Sequence, residues 1–187
     1  MKNYAQARIQ YRKASHLRQD DSKLIYKIAY TYYNEGQWQS CFKQLEIAMK
    51  MHRLQPEFNL LAGECKMKLG LFKDAAQYFS NMVRVRPKSM AGWEALIRSL
   101  FNAESFEDAL EQTNTALKMT KGKPIFLFYK SAVLFALNKG KEAILQLEEA
   151  MRQAPKLLKR FVELNPSILQ SQQVVDVIAR YKRNKSI

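Results

Sequence analysis

Phe72-Lys73-Asp74-Ala75-Ala76-Gln77-Tyr78-Phe79-Ser80-Asn81-Met82-Val83-Arg84-Val85-Arg86-Pro87 is the stretch that decides the reading of the whole chain. Ala75, Phe79 and Met82 stand at i, i+4 and i+7, which is one face of a helix, and Pro87 follows where a helix would stop. Stepping outward by 34 residues in either direction meets the same face again. The small position holds Ala7, Cys41, Ala109 and Ala143; four residues on stand Tyr11, Leu45, Thr113 and Leu147; three further on come Ala14, Ala48, Ala116 and Ala150. Pro155 lies two such steps after Pro87. A register held over five cycles marks a repeated unit whose copies stack on one another.

Each unit reads as two antiparallel helices joined by a tight turn. Gly36 and Gly70 fall at the turn, where a left-handed conformation suits Gly. Small residues such as Ala75 and Ala109 let helix axes approach, while Phe79, Tyr32 and Trp93 fill the gaps between layers. No pair buries its apolar face alone, so neighbours must stack. The composition agrees, with 47% hydrophobic residues, only six Gly and five Pro, and long runs of good helix formers.

The pattern resembles the tetratricopeptide repeat, whose signature is a Trp/Leu-Gly/Tyr first helix, an Ala-x3-Phe second helix and a closing Pro. It is carried by Ala75-x3-Phe79 with Pro87, Ala143-x3-Leu147 with Pro155, Ile25-x2-Ile28-Ala29-x2-Tyr32, Ala62-Gly63 and Trp93-x2-Leu96, over about residues 4–155. Cys41, Thr113 and Met82 depart from it without breaking the register. The resemblance implies an all-α fold, a right-handed α-solenoid of helix-turn-helix repeats with a C-terminal capping hairpin. Residues 1–21 read as the second helix of an incomplete repeat, followed by repeats at 22–55, 56–89, 90–123 and 124–156. Residues 157–187 read as a degenerate capping hairpin and basic tail. Gly140 comes 70 residues after Gly70, two more than two periods. We therefore expect a shortened turn in the fourth repeat and a lengthened linker at Lys121-Gly122-Lys123-Pro124, with a local change of geometry. The chain starts halfway through a repeat, which suggests a fragment or a lost upstream array.

Catalysis is not expected. His16 and His52 lie near helix ends about one period apart, no His/Cys spacing suits zinc, and no Gly-rich phosphate loop occurs. No cofactor is implied. The two cysteines are too few for a disulfide scaffold, and no apolar run reaches the roughly 20 residues of a membrane span. These features suit a cytoplasmic protein by default, with an export signal upstream left open by the abrupt start.

The resemblance also implies that first helices line a concave surface where partners bind as extended peptides or helices. Projected onto it, the groove residues are Lys23, Tyr26, Tyr30 and Tyr33, then Leu60, Glu64 and Met67, then Glu94, Arg98 and Phe101, then Lys130, Leu134 and Leu137. Three tyrosines at i, i+4 and i+7 make Tyr26, Tyr30 and Tyr33 the leading candidates. Family members that clamp a chaperone's C-terminal carboxylate use Lys, Asn and Arg at positions held here by Tyr26, Tyr30, Glu64, Glu94 and Arg98. Only Arg98 fits, so that ligand is not expected. The expected partner is another protein or peptide segment. A net charge of +14 is read as a solvated convex surface carrying Arg8, Arg12, Arg152, Arg160 and Arg180 among others, with attachment to nucleic acid or an anionic membrane as the alternative. An uncovered face around Tyr4, Ala7 and Tyr11 offers a route to a homodimer.

Overall fold

The computed structural model describes residues 3–17 and 21–183, apart from the side chains of 16–17 and 182–183. The tail residues from 184 on, like the His16 and Leu17 side chains, lie outside that description. The described residues form eleven α-helices and two short 3-10 turns with no strand among them, an all-α chain of paired helices in the solenoid class. They fall into two compact units, Met1–Pro87 and Lys88–Ile187.

The first unit holds α1 (Tyr4–Leu17), α2 (Ser22–Asn34), α3 (Trp38–Met51), α4 (Pro56–Lys68) and α5 (Phe72–Val85). Asp21 opens α2 by accepting hydrogen bonds from the amides of Lys23 (2.9 Å) and Leu24 (3.2 Å), satisfying donors that have no helical partner. Pro56 opens α4, where a missing N–H costs nothing. Gly36 and Gly70 carry φ of 74° at the two hairpin turns, each followed by an amide that closes back on the helix: Gln37 to Tyr32 O at 3.0 Å and Leu71 to Lys66 O at 2.9 Å. The register seen in the sequence is the core: Cys41, Leu45, Ala48 and Ala75 are fully buried and Phe79 is 1% exposed. Gly63 sits against the Phe79 ring so closely that a Cβ there would lie 2.5 Å from Cε1. It is the small residue through which α4 and α5 meet.

The second unit holds α6 (Met90–Asn102), α7 (Phe106–Met119), α8 (Pro124–Ala136), α9 (Gly140–Gln153), α10 (Leu158–Leu164) and α11 (Gln172–Arg183). Ala109, Ala116, Ala143, Leu147 and Ala150 are fully buried on the same register. Thr113, which replaces an aromatic, is buried too because its hydroxyl donates to the Ala109 carbonyl at 2.6 Å.

The expected irregularity near Gly140 is absent. Helices α2, α4, α6 and α8 begin at 22, 56, 90 and 124, and α3, α5, α7 and α9 at 38, 72, 106 and 140, every step being one period. The left-handed turn position passes from Gly36 and Gly70 to Glu104 (φ 57°) and Asn138 (φ 58°). Gly140 is the first residue of α9, with open space around it, and plays no turn role. Asn tolerates the left-handed region because its short polar side chain bonds locally. A Gly two residues away was the misleading signal.

The end of the second unit follows the register as well. Leu158 lies one period after Pro124, and α10 is a shortened first helix whose Phe161 is fully buried with its ring centroid 5.9 Å from that of Phe128. Val177 of α11 is 2% exposed at the position of Ala143. No helix among the described residues is long and apolar enough to cross a membrane.

Candidate functional site

Within the first unit, an i, i+4, i+7 spacing on α2 puts three tyrosine rings in file. Tyr26 stacks on Tyr30 (6.3 Å between centroids) and Tyr30 on Tyr33 (6.4 Å). The file extends at both ends through neighbouring helices. Tyr26 stacks on Phe58 of α4 at 5.2 Å, and Tyr33 meets Trp38 of α3 edge-on at 5.0 Å. Five aromatic rings thus form one continuous ladder. Tyr30, its middle rung, is 49% exposed, whereas Phe58 is 4% exposed and anchors the ladder in the core. Rigid aromatic rungs offer large contact area at small entropic cost.

Glu64 of α4 lies beside Tyr33. Burial pushes its carboxyl above the usual carboxylate range, while the Tyr33 hydroxyl and Lys68 pull the other way. Burial, then the neighbouring Glu64, raises the Tyr33 phenol. Tyr26 is raised by burial first and then by Tyr30, Glu57 and Glu64. Tyr26 and Tyr33 are therefore neutral hydrogen-bonding groups at physiological pH. Leu60 and Met67 are half-buried on the same helix, and Lys23 is exposed at the start of α2. At the Tyr26 end the surface sinks into a cavity of about 530 Å³ floored by Tyr26 and Phe58. A cavity of this size is in the range of ligand pockets.

The second unit arranges its candidates differently. Glu94 is already engaged, accepting from the Tyr129 hydroxyl at 3.1 Å and pairing with Arg160 of α10 at 2.5 Å. Its side chain is 16% exposed, so it is a tie between α6, α8 and α10 more than an open contact. Burial, followed by Glu94, raises the Tyr129 phenol. Arg98 is exposed, and Phe101 is half-buried edge-on to Phe106 at 5.3 Å. On α8 the sequence-based choice needs correction. Tyr26, Tyr30 and Tyr33 stand four, eight and eleven residues after the start of α2, and the same offsets from Pro124 give Phe128, Ala132 and Phe135. Lys130, Leu134 and Leu137 came from the two-residue shift inferred from Gly140, which the helix does not make. Leu134 is 1% exposed and offers no surface, and Phe128 is fully buried beneath Phe161.

Several cations expected to be solvated are paired. Arg8 of α1 lies over the Tyr32 ring at 4.3 Å and bridges to Glu35 at 2.6 Å, with its side chain 14% exposed. Arg12 donates to the Tyr32 hydroxyl, Arg180 pairs with Glu148, and Arg152 pairs with Glu149. Tyr4, Ala7 and Tyr11 are half-buried, and the Lys27 ammonium stands 5.7 Å from the Tyr11 ring centre. His52 stands at the C-terminal cap of α3, where its backbone amide donates to the Ala48 carbonyl. No group of three or more potential metal ligands occurs among the described residues.

Residues 94–157 match the tetratricopeptide repeat family model. No curated protein matches the chain. Among solved structures, MamA 41-end from Desulfovibrio magneticus RS-1 superposes with a TM-score of 0.70 at 14% identity, over 81% of this chain and 85% of that one. A crystal structure of MamA gives 0.73 at 13% identity, over 84% and 86%. YrrB, described as a TPR protein with an unusual peptide-binding site, gives 0.68 at 16% identity, over 96% and 84%. Identities this low establish likeness of fold.

Proposed function

We propose that this chain, an all-α solenoid whose residues 94–157 match the tetratricopeptide repeat model, is a non-catalytic scaffold that holds a segment of another protein against the tyrosine ladder of α2. The observation that carries this reading is the continuous file of five rings with its middle rung, Tyr30, half in solvent. A fold needs Phe58 and Trp38 where they pack; it has no use for an exposed tyrosine stacked on both sides. Aromatic side chains of this kind are the ones that dominate binding energy at interfaces. YrrB, a likeness in fold, is described as binding a peptide, which makes a peptide ligand the natural first probe.

The test is a phage-displayed random peptide library selected against the whole chain, with the winning peptides synthesised and titrated against Tyr30→Ala. Tyr30 is half exposed, so its truncation should leave the melting temperature almost unchanged, within about 0.5 kcal/mol. Peptide affinity should fall by about tenfold or more, as for a central hot spot. Peptides that bind Tyr30→Ala as well as the parent chain would remove the ladder from the interface.

A further inference from the structure

The cavity at the Tyr26 end of the ladder is rimmed by a surplus of cations. Lys23, Lys27 and Arg86 border it, with His52 beside them, against the single carboxylate Glu57. That carboxylate is already held by Arg86 at 2.7 Å. Lys23 forms no salt bridge among the described residues, and it stands one helical turn from Lys27, an arrangement of like charges that weakens a helix. Lys27 also faces the Tyr11 ring of α1 at 5.7 Å, whereas Lys23 has no such contact among the described residues to account for it. The surrounding chain adds to the field, since residues 1–87 carry 15 Lys and Arg against 7 Asp and Glu. The floor is aromatic, Tyr26 on Phe58, so a charge entering the cavity meets the cations with part of its water removed, where their attraction is stronger. Carboxylates form charge-assisted hydrogen bonds with such groups, about twice as strong as neutral ones.

We propose that this cavity receives an acidic side chain of the bound segment, so that the ligand is a peptide with an aspartate or glutamate at its Tyr26 end. The inference rests on the tyrosine-ladder reading and gives it a direction. Tyr26 and Tyr33 are seven residues apart on α2, about 10 Å along the axis, which an extended peptide covers in about three residues. The cations Lys23 and Lys27 border the cavity at the Tyr26 end only, away from Trp38 at the other end of the ladder. The acidic residue therefore belongs at one end only, followed along the ladder by about three residues of apolar or aromatic character.

The phage selection described above tests both readings, and three variants separate them. Lys23→Glu reverses a charge on the cavity rim, Lys43→Glu makes the same change at an exposed site on α3 that does not border the cavity, and Tyr30→Ala removes the middle rung. All three positions are exposed, and circular dichroism with thermal melting verifies that each variant folds. Selected peptides should be enriched in Asp and Glu. Their affinity, read by fluorescence polarisation of the labelled synthetic peptides, should drop about tenfold or more with Lys23→Glu, because like charges then face each other. Lys43→Glu should change it by less than about twofold, as for a distant screened charge. Peptides sensitive to Tyr30→Ala but indifferent to Lys23→Glu would overturn the cavity assignment and leave the ladder standing. The reverse pattern would support the cavity and end the ladder. Selection of neutral or basic peptides, or of none, overturns the proposal. So does tight binding of a single-stranded oligonucleotide or of phosphatidylserine vesicles in place of any peptide.

Discussion

Phe161→Ala should cost the protein about 3–5 kcal/mol, the range for removing a fully buried aromatic ring. Phe161 is the residue that packs α10 onto α8: α10 has only seven residues, and its ring is fully buried beside Phe128. In a stacked array each unit depends on its neighbours. Truncation would leave a void above Phe128 that α10, so short, is badly placed to refill. The loss is a large part of the roughly 5–15 kcal/mol that holds a domain together. Chemical denaturation should show a midpoint shifted sharply down, and hydrogen exchange should accelerate first in α10 and α11. Arg160, one residue earlier, provides the contrast. Its own side chain is half exposed and the more buried Glu94 keeps the Tyr129 hydroxyl as a donor, so Arg160→Ala should cost only about 1–2 kcal/mol. Equal losses from the two variants would mean that the charge holds α10 as firmly as the ring does.

The phase of the repeat was the most legible property of the sequence, and the reason is mechanical. Helix pairs that stack at constant spacing admit only small residues at their closest approach, so Cys41, Ala75, Ala109 and Ala143 record the layers one by one, all fully buried. The turns were less legible. Gly is the usual occupant of a left-handed turn, but Glu104 and Asn138 take that conformation here, and the nearby Gly140 drew the reading off by two residues. That slip moved the α8 candidates onto positions such as Leu134 that face the core.

Contacts between helices were beyond reach of the pattern. The three tyrosines were visible because their spacing belongs to one helix. Phe58 and Trp38 were not, because they join the ladder only when α4 and α3 pack beside α2. The same holds for Glu94, whose partner Arg160 lies 66 residues on, and for Arg86 and His52, which reach the cavity from the ends of other helices. Spacing within an element is written locally, and convergence of elements is not.

Gly63→Ala poses two effects of opposite sign, and their sizes decide the outcome. Gly is a poor helix former, so replacing it inside α4 should gain up to about 1 kcal/mol from propensity. The new methyl group, however, would stand 2.5, 2.7 and 2.8 Å from three carbons of the Phe79 ring. That ring is 1% exposed and has no free space to swing into. Overpacking of this kind costs about 1–3 kcal/mol, so the net result should be a loss of about 1–2 kcal/mol in spite of the better helix former. A double-mutant cycle separates the terms. Phe79→Leu alone should destabilise by leaving space beneath Gly63. The double variant should lose less than the sum of the two single changes, because the alanine methyl then fills the room vacated by the ring. Denaturation midpoints of the four proteins give the coupling directly. Simple additivity, or a Gly63→Ala variant more stable than its parent, would show that α4 and α5 do not meet through this residue.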